Sequence, residues 1–138
     1  MQFLKERKLD QLIKNIQQPF LGICLGLQLM CKSSEEGNTI CLGIFEAQVK
    51  KFPKREKVPH MGWNEFESQK DGFLDGILGD VYYVHSYYAE LCSHTTATCD
   101  YITKFSACLQ KDNFYATQFH LEKSGKVGEK ILNKFLNL

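Results

Sequence analysis

Gly22-Ile23-Cys24-Leu25-Gly26 places a cysteine between two glycines, where the apolar run PFLGICL gives way to a stretch with helical character. This is the thiol counterpart of the G-x-S-x-G turn, whose nucleophile stands on a tight strand-to-helix backbone with glycines removing the Cβ atoms that would clash. The chemistry such a turn serves is acyl transfer. A thiolate attacks a carbonyl carbon, and the N–H groups opening the next helix lower the thiol pKa. The backbone N–H of Leu25 falls where it can donate to an oxyanion developing on the acyl oxygen. The attack also needs a base. Phe119-His120-Leu121-Glu122 follows the strand-like FYATQ, and residues two apart on an extended segment project to the same side. His120 is therefore the candidate general base and acid, and Glu122 the carboxylate that holds its other ring nitrogen. Distance in sequence from Cys24 is no obstacle, because triads assemble in space. His85, within Tyr83-Val84-His85-Ser86-Tyr87, is the rival base, but the sequence gives it no carboxylate. It reads as pocket wall or a satisfied strand histidine, and His60 and His94 rank below it.

Several elements must hold these groups in place. Leu4, Leu9, Leu12, Ile13 and Ile16 recur near helical spacing among charges, which predicts one amphipathic helix over 3–16. PFLGICL is short and opens on Pro19, which predicts a buried strand. Gln28 stands one helical turn after Cys24 and on the same side, and the stretch LQLMCKSSEEGN begins helical and turns polar and loop-like. The middle is β-rich, with FEAQVKKF at 45–52 and the aromatic, β-branched VYYVHSYYAE at 81–90. ATCDYITK and FSACLQ lead to a hairpin turn at Lys111-Asp112-Asn113 and then to FYATQFH. Ser124 is the candidate N-cap of a closing helix whose buried stripe is Val127, Ile131, Leu132, Phe135 and Leu136. Helix, parallel-type strand, helix, β-meander and helix make an α/β layout, and 138 residues suit a single domain over 1–138.

Bulk properties remove several function classes. A net charge of +1 supplies no long-range field for nucleic acid or an anionic membrane. The one basic cluster, Lys50, Lys51, Lys54, Arg55 and Lys57, reads as a solvated loop. No apolar run approaches the roughly 18 residues of a membrane span, and the charged, amphipathic N-terminus is unlike a secretory signal. The six cysteines read as those of a reduced, cytoplasmic compartment rather than a disulfide framework, and no pair has the C-x-x-C spacing that would support a zinc site. Cys92, His94 and Cys99 are better read as loop and strand side chains than as ligands. Neither a metal nor a cofactor is expected.

PFLGICLGLQLM, SSEEG, KVPHMGWNEF, YYVHSYYAE and NFYATQFHLEKSGKVGEKILNKFL together resemble the glutaminase subunit of imidazole glycerol phosphate synthase, of histidine biosynthesis. The resemblance runs through nearly the whole chain. The cysteine turn and QFHxEKSG mark class I glutamine amidotransferases in general, while PHMGWN with VHSYY marks the histidine-pathway member. It implies an α/β, flavodoxin-like class I amidotransferase domain, N-terminally truncated, with a β-rich middle and a C-terminal helix. It further implies a heterodimer with a (β/α)-barrel cyclase subunit and hydrolysis of glutamine through a glutamyl thioester on Cys24, the ammonia passing to the barrel. By motif position Cys24 is then the nucleophile, His120 the acid and base, and Glu122 its orienter. Gln28, Glu36, Ser86 and Tyr87 match residues that bind the glutamine, although Glu36 on its own reads only as solvated loop. His60, Met61, Trp63, Asn64, Tyr82 and Lys123 match positions facing the synthase partner. Trp63, the only tryptophan, has two readings from the residues alone: half-buried packing, or a loop side chain presented to a partner.

Two departures from the family pattern matter. Leu121 stands where the family has proline between His and Glu, a change worth about 1 kcal/mol at most. Family members also begin with roughly two more βα units, ending in a Gly-rich turn that supplies the second oxyanion donor. Loss of one such donor costs about 100- to 1,000-fold in rate. A displaced start codon, a shortened chain and a degraded remnant gene each fit. Two functional expectations follow, a glutaminase or a chain that only docks on the synthase partner. Another class I amidotransferase is disfavoured by PHMGWN and VHSYY, and an unrelated thiol hydrolase by Gln28 and Glu36.

Overall fold

The computed structural model describes residues 1–69 and 72–138. The chain opens with two short helices, α1 (Gln2–Glu6) and α2 (Leu9–Asn15), in place of the single helix expected over 3–16. They part at Lys8, which adopts a left-handed conformation with φ 57°. The physical reason lies in packing. No residue of either helix is buried, and Phe3 and Leu12 stay 59% and 61% exposed. Helices this short draw their stability from packing, and here Ile13 of α2 reaches the core only partly buried.

The remaining elements are β1 (Phe20–Ile23), α3 (Leu25–Met30), β2 (Ser33–Ser34), β3 (Thr39–Ile40), β4 (Gln48–Lys51), β5 (His60–Asn64) and β6 (Ser68–Gln69), followed by β7 (Val81–His85), β8 (Tyr87–Ala89), β9 (Thr95–Tyr101), β10 (Thr103–Lys111), β11 (Phe114–Thr117) and α4 (Gly125–Leu136). A five-stranded sheet runs β1-β11-β10-β9-β6, with β1 parallel to β11 and the other neighbours antiparallel. A second sheet has the order β3-β2-β4-β8, and β5 pairs with β7 in a third. β1 is an outer strand, and only its Gly22 is buried, so the full burial expected of PFLGICL is not reached. The expected hairpin forms, with Lys111 opposite Phe114 and Asp112 at φ 51°. The aromatic stretch 81–90 does not form one strand. It breaks at Ser86 and its halves join different sheets.

Apolar side chains from these layers form two cores. Phe52, Tyr83, Phe105, Phe119 and Ile131 centre the first. Leu27, Met30, Phe45, Val49 and Leu109 centre the second, beneath α3. α4 covers the first core through buried Ile131, with Val127 and Phe135 half-buried beside it. Its stripe is narrower than expected, since Leu132 and Leu136 remain 41% and 69% exposed. Ser124 does precede α4, but its hydroxyl does not cap the helix. It donates to the His120 carbonyl (2.6 Å) and accepts from the Tyr82 N–H (3.0 Å), tying the 120–124 turn to β7. No helix among the described residues is long and apolar enough to cross a membrane.

Candidate active site

Parallel pairing places the C-terminal ends of β1 and β11 side by side, Ile23 opposite Thr117. The Cys24 N–H donates to the Thr117 carbonyl (2.8 Å), which fixes the residue just beyond the strand end. Its backbone is held at φ 51°, ψ −99°, a region costing a non-glycine residue about 1–3 kcal/mol. The two flanking glycines differ in their need. A Cβ on Gly22 would lie 2.6 Å from Met30 Sδ and 2.8 Å from the Gly26 carbonyl carbon, whereas one on Gly26 meets nothing within 4 Å. Only Gly22 is demanded by close approach of strand to helix.

Cys24, Leu25, Gln28, Glu36, Ser86 and Tyr87 line one open pocket of about 370 Å³, with Pro59, Val84 and His85 completing its wall. The residues expected at nucleophile, oxyanion and glutamine positions thus face a common space. His120 arrives from the end of β11, its N–H donating to the Tyr82 carbonyl (2.9 Å). His120 Nδ1–H donates to Glu122 Oε1 (2.6 Å), so Nε2 is left as the basic nitrogen. Burial pushes the Glu122 carboxyl up, but the His120 hydrogen bond, its own backbone N–H and the charges of His120 and Lys123 together outweigh it and hold the group below the ordinary carboxylate value.

The helix N-terminus beside Cys24 predicts a depressed thiol pKa. Instead, burial raises the Cys24 thiol above its ordinary value, the Leu25 N–H lowers it, Glu122 raises it further, and the Gln118 amide and Lys123 lower it. The short α3 does not overcome the loss of water around the sulfur.

His85 fits its reading as a satisfied strand histidine that also walls the pocket. Its Nδ1–H donates to the Tyr87 carbonyl (2.8 Å), and burial holds its pKa down at about 3. His60 Nδ1–H donates to His85 Nε2 (3.0 Å), and burial lowers His60 to about 4.

The residues matched to a partner face divide. Met61 and Trp63 each stand 57% exposed on β5, and Trp63 meets Tyr82 edge-on at 5.7 Å, with the Lys123 ammonium 5.9 Å from the Tyr82 ring. Asn64 turns partly inward and donates to the Asp100 carbonyl (3.2 Å). His60 is not on that face. It is 3% exposed, because β5 alternates and His60 points into the first core, stacked between Tyr83 and Tyr101.

Gln118 is a site residue the sequence reading passed over. It is fully buried, and its Nε2 lies 3.6 Å from Cys24 Sγ. Gln28 Nε2 donates both to Gln118 Oε1 (3.2 Å) and to the Tyr87 carbonyl (3.0 Å). β11 ends at Thr117 and Leu121–Lys123 form a tight 3-10 turn, so strand alternation carries no signal for Gln118. Among the described residues no group of three or more His, Cys, Asp or Glu gathers as a metal site.

A cysteine thus stands on a strained strand-to-helix turn, and a His–Glu pair follows the end of the adjacent parallel strand. Residues 4–138 match the family described as glutamine amidotransferase class-I, and the chain belongs to that family. It is closely related to imidazole glycerol phosphate synthase subunit HisH. It is 57% identical to that subunit from Bacteroides fragilis strain YCH46 over 143 residues, covering 100% of this chain and 73% of the relative. The Bacteroides thetaiotaomicron subunit is 54% identical with the same coverage. Subunit HisH 2 of Legionella pneumophila strain Philadelphia 1 is 42% identical, over 100% of this chain and 72% of that one. Among solved structures, a glutamine amidotransferase from Thermotoga maritima superposes with a TM-score of 0.65 at 22% identity, covering 98% of this chain and 54% of the other. The fold is the α/β, flavodoxin-like fold of class I amidotransferases, built on mixed sheets with a C-terminal helix. The chain spans about half the length of that solved structure.

Proposed function

We propose that this chain is the glutamine-hydrolysing subunit of imidazole glycerol phosphate synthase, working in the cytoplasm beside a (β/α)-barrel cyclase subunit. The observation that carries the reading is that Cys24, on its strained turn, and the His120–Glu122 pair follow the ends of two adjacent parallel strands. His120 takes the Cys24 proton, the thiolate attacks the carboxamide carbon of glutamine, and the oxyanion accepts a hydrogen bond from the Leu25 N–H. His120 delivers a proton to the nitrogen as the C–N bond breaks, releasing ammonia and leaving a glutamyl thioester. Water, giving its proton to His120, attacks the thioester. Glutamate leaves and the proton returns to sulfur. Gln28, Glu36, Ser86 and Tyr87 hold the substrate in the pocket they line. Ammonia passes to the partner. Six free cysteines suit a reducing compartment.

A second reading is favoured by one specific observation, the raised Cys24 thiol. A mostly protonated nucleophile slows attack, and a chain that docks on the synthase without turnover would retain the same exposed Met61 and Trp63. The two readings separate in one experiment. The chain is combined with the cyclase partner and an acceptor-site ligand, and glutamate release is followed beside a Cys24→Ala control. Cys24-dependent release that rises with the partner supports hydrolysis. Partner binding without release leaves docking alone. Neither binding nor release defeats both.

A further inference from the structure

The Tyr87 carbonyl oxygen can only accept hydrogen bonds. It faces a Gln28 amide end at 3.0 Å, so that end is the NH2 group. The second hydrogen of the same NH2 points at Gln118, 3.2 Å away, so Gln118 must turn its oxygen toward Gln28. Its own NH2 then faces Cys24 Sγ at 3.6 Å. One backbone carbonyl thereby fixes the direction of two side-chain amides, both nearly or wholly without solvent contact. Nothing in this arrangement offers the sulfur an acceptor at Gln118. A thiol proton aimed there would meet another donor, whereas a thiolate would receive a charge-assisted hydrogen bond.

We propose that Gln118 is a catalytic residue whose side-chain amide, oriented by Gln28 and Tyr87, holds the Cys24 thiolate and stabilises it before attack and again when it leaves the thioester. The role in turnover rests on the hydrolytic reading above, but the interaction itself does not. The other groups acting on the sulfur are the Leu25 N–H from α3, and Glu122 and Lys123 from the turn after β11. His120 stands on that same turn. Of the donors, Gln118 is the neutral side chain, so its effect can be removed without altering any charge at the site.

The test is the pH dependence of Cys24 alkylation by iodoacetamide, read on the Cys24 peptide by mass spectrometry. It uses the full chain as wild type, Gln118→Leu and Gln118→Glu. The midpoint should rise by about one pH unit in Gln118→Leu, a tenfold loss of thiolate at fixed pH, and further in Gln118→Glu, where a carboxylate replaces the donor. An unchanged midpoint in folded Gln118→Leu overturns the proposal. If both variants unfold, the wild-type Gln118 side-chain amide signal decides by NMR. It should titrate with the alkylation midpoint and cease to do so in Cys24→Ala, and a flat signal overturns the proposal. Alkylation needs no glutamine, so failure of hydrolysis leaves this result standing. Conversely, glutamate release with an unmoved midpoint removes Gln118 while keeping hydrolysis.

Discussion

His85 Nδ1 stands 2.8 Å from the Tyr87 carbonyl, the same oxygen that receives the Gln28 amide. Because that oxygen only accepts, His85 carries its proton on Nδ1 and presents a bare Nε2 to His60 Nδ1–H. His60 in turn presents its Nε2 toward the Asn64 amide at 3.5 Å. One carbonyl therefore sets the polarity of two chains. One runs through Gln28 and Gln118 to the nucleophile, the other through two neutral histidines to the strand that displays Trp63.

The neutral histidine pair makes stability depend on pH. Both groups titrate near 6.5 when unfolded, and burial holds them at about 4 (His60) and about 3 (His85) in the folded chain. Below pH about 6.5 the unfolded state binds protons that the folded state refuses. Their contribution is thus fully present above that value and is lost as pH falls toward 4 and 3. Each imidazole gives a slope of about 1.4 kcal/mol per pH unit in that window. Urea midpoints measured between pH about 7 and about 4.5 should fall steadily as pH drops. A flat profile would mean that the pair is charged or open to water in the native state.

His120 and Glu122 should separate activity from stability. Their side chains are 19% and 57% exposed, so their contact is worth no more than about 1 kcal/mol to folding. His120→Ala should lower glutamate release by about 10²- to 10⁴-fold, the range for loss of a general acid and base, with little change in melting temperature. Glu122→Ala should cost no more than about tenfold, because water can replace so exposed an acceptor. Glutamate assays with thermal melts of the two variants check both numbers. Equal, large losses would mean that Glu122 does more than orient the ring.

Much of this site was legible because it rests on local rules. The Cys24 turn and the 111–113 hairpin each lie within a few residues and depend on backbone geometry. The His120–Glu122 contact forms, but across a tight 3-10 turn over Leu121–Lys123 and not on the extended segment expected. What could not be read was which strand meets which. Nothing local says that residues 81–90 divide at Ser86 between two sheets, or that β1 pairs with β11 at the sheet margin. The broken opening helix has the same origin, since a stripe of Leu and Ile predicts a buried face but not whether anything covers it. The family resemblance puts His60 on the partner face together with Met61 and Trp63. Strand alternation sends it the opposite way, into contact with Tyr83 and Tyr101. The thiol pKa depends on how much water the fold removes, a quantity no motif carries.

The two glycines of the cysteine turn should respond with opposite signs. In Gly22→Ala the new methyl is driven against Met30 Sδ and the Gly26 backbone, 2.6 and 2.8 Å away. Such overpacking destabilises by about 1–3 kcal/mol, and the displaced strand end would also slow Cys24 alkylation. Gly26→Ala lies in a helix with open space around the new Cβ. Ala is favoured there over Gly by up to about 1 kcal/mol. Urea denaturation of both variants tests the pair of signs, and a tolerated Gly22→Ala would contradict the packing described.

Trp63 offers the sharpest test of the partner reading. At 57% exposure it contributes little to folding, yet it presents a large aromatic surface beside Tyr82, with Lys123 at the edge. Aromatic residues of this kind dominate interface energetics, and truncating one costs about 2 kcal/mol or more, about a 30-fold loss of affinity. Calorimetric titration of the chain with its cyclase partner should therefore show at least that loss for Trp63→Ala, with an unchanged melting temperature. Lys123→Ala should instead weaken the salt dependence of association, as expected for a charge at an interface rim. His60→Ala should behave differently from both, losing stability because it empties a site between two stacked tyrosines. Should Trp63→Ala bind as tightly as wild type, the β5 surface is not the docking face, and the exposed tryptophan needs another explanation.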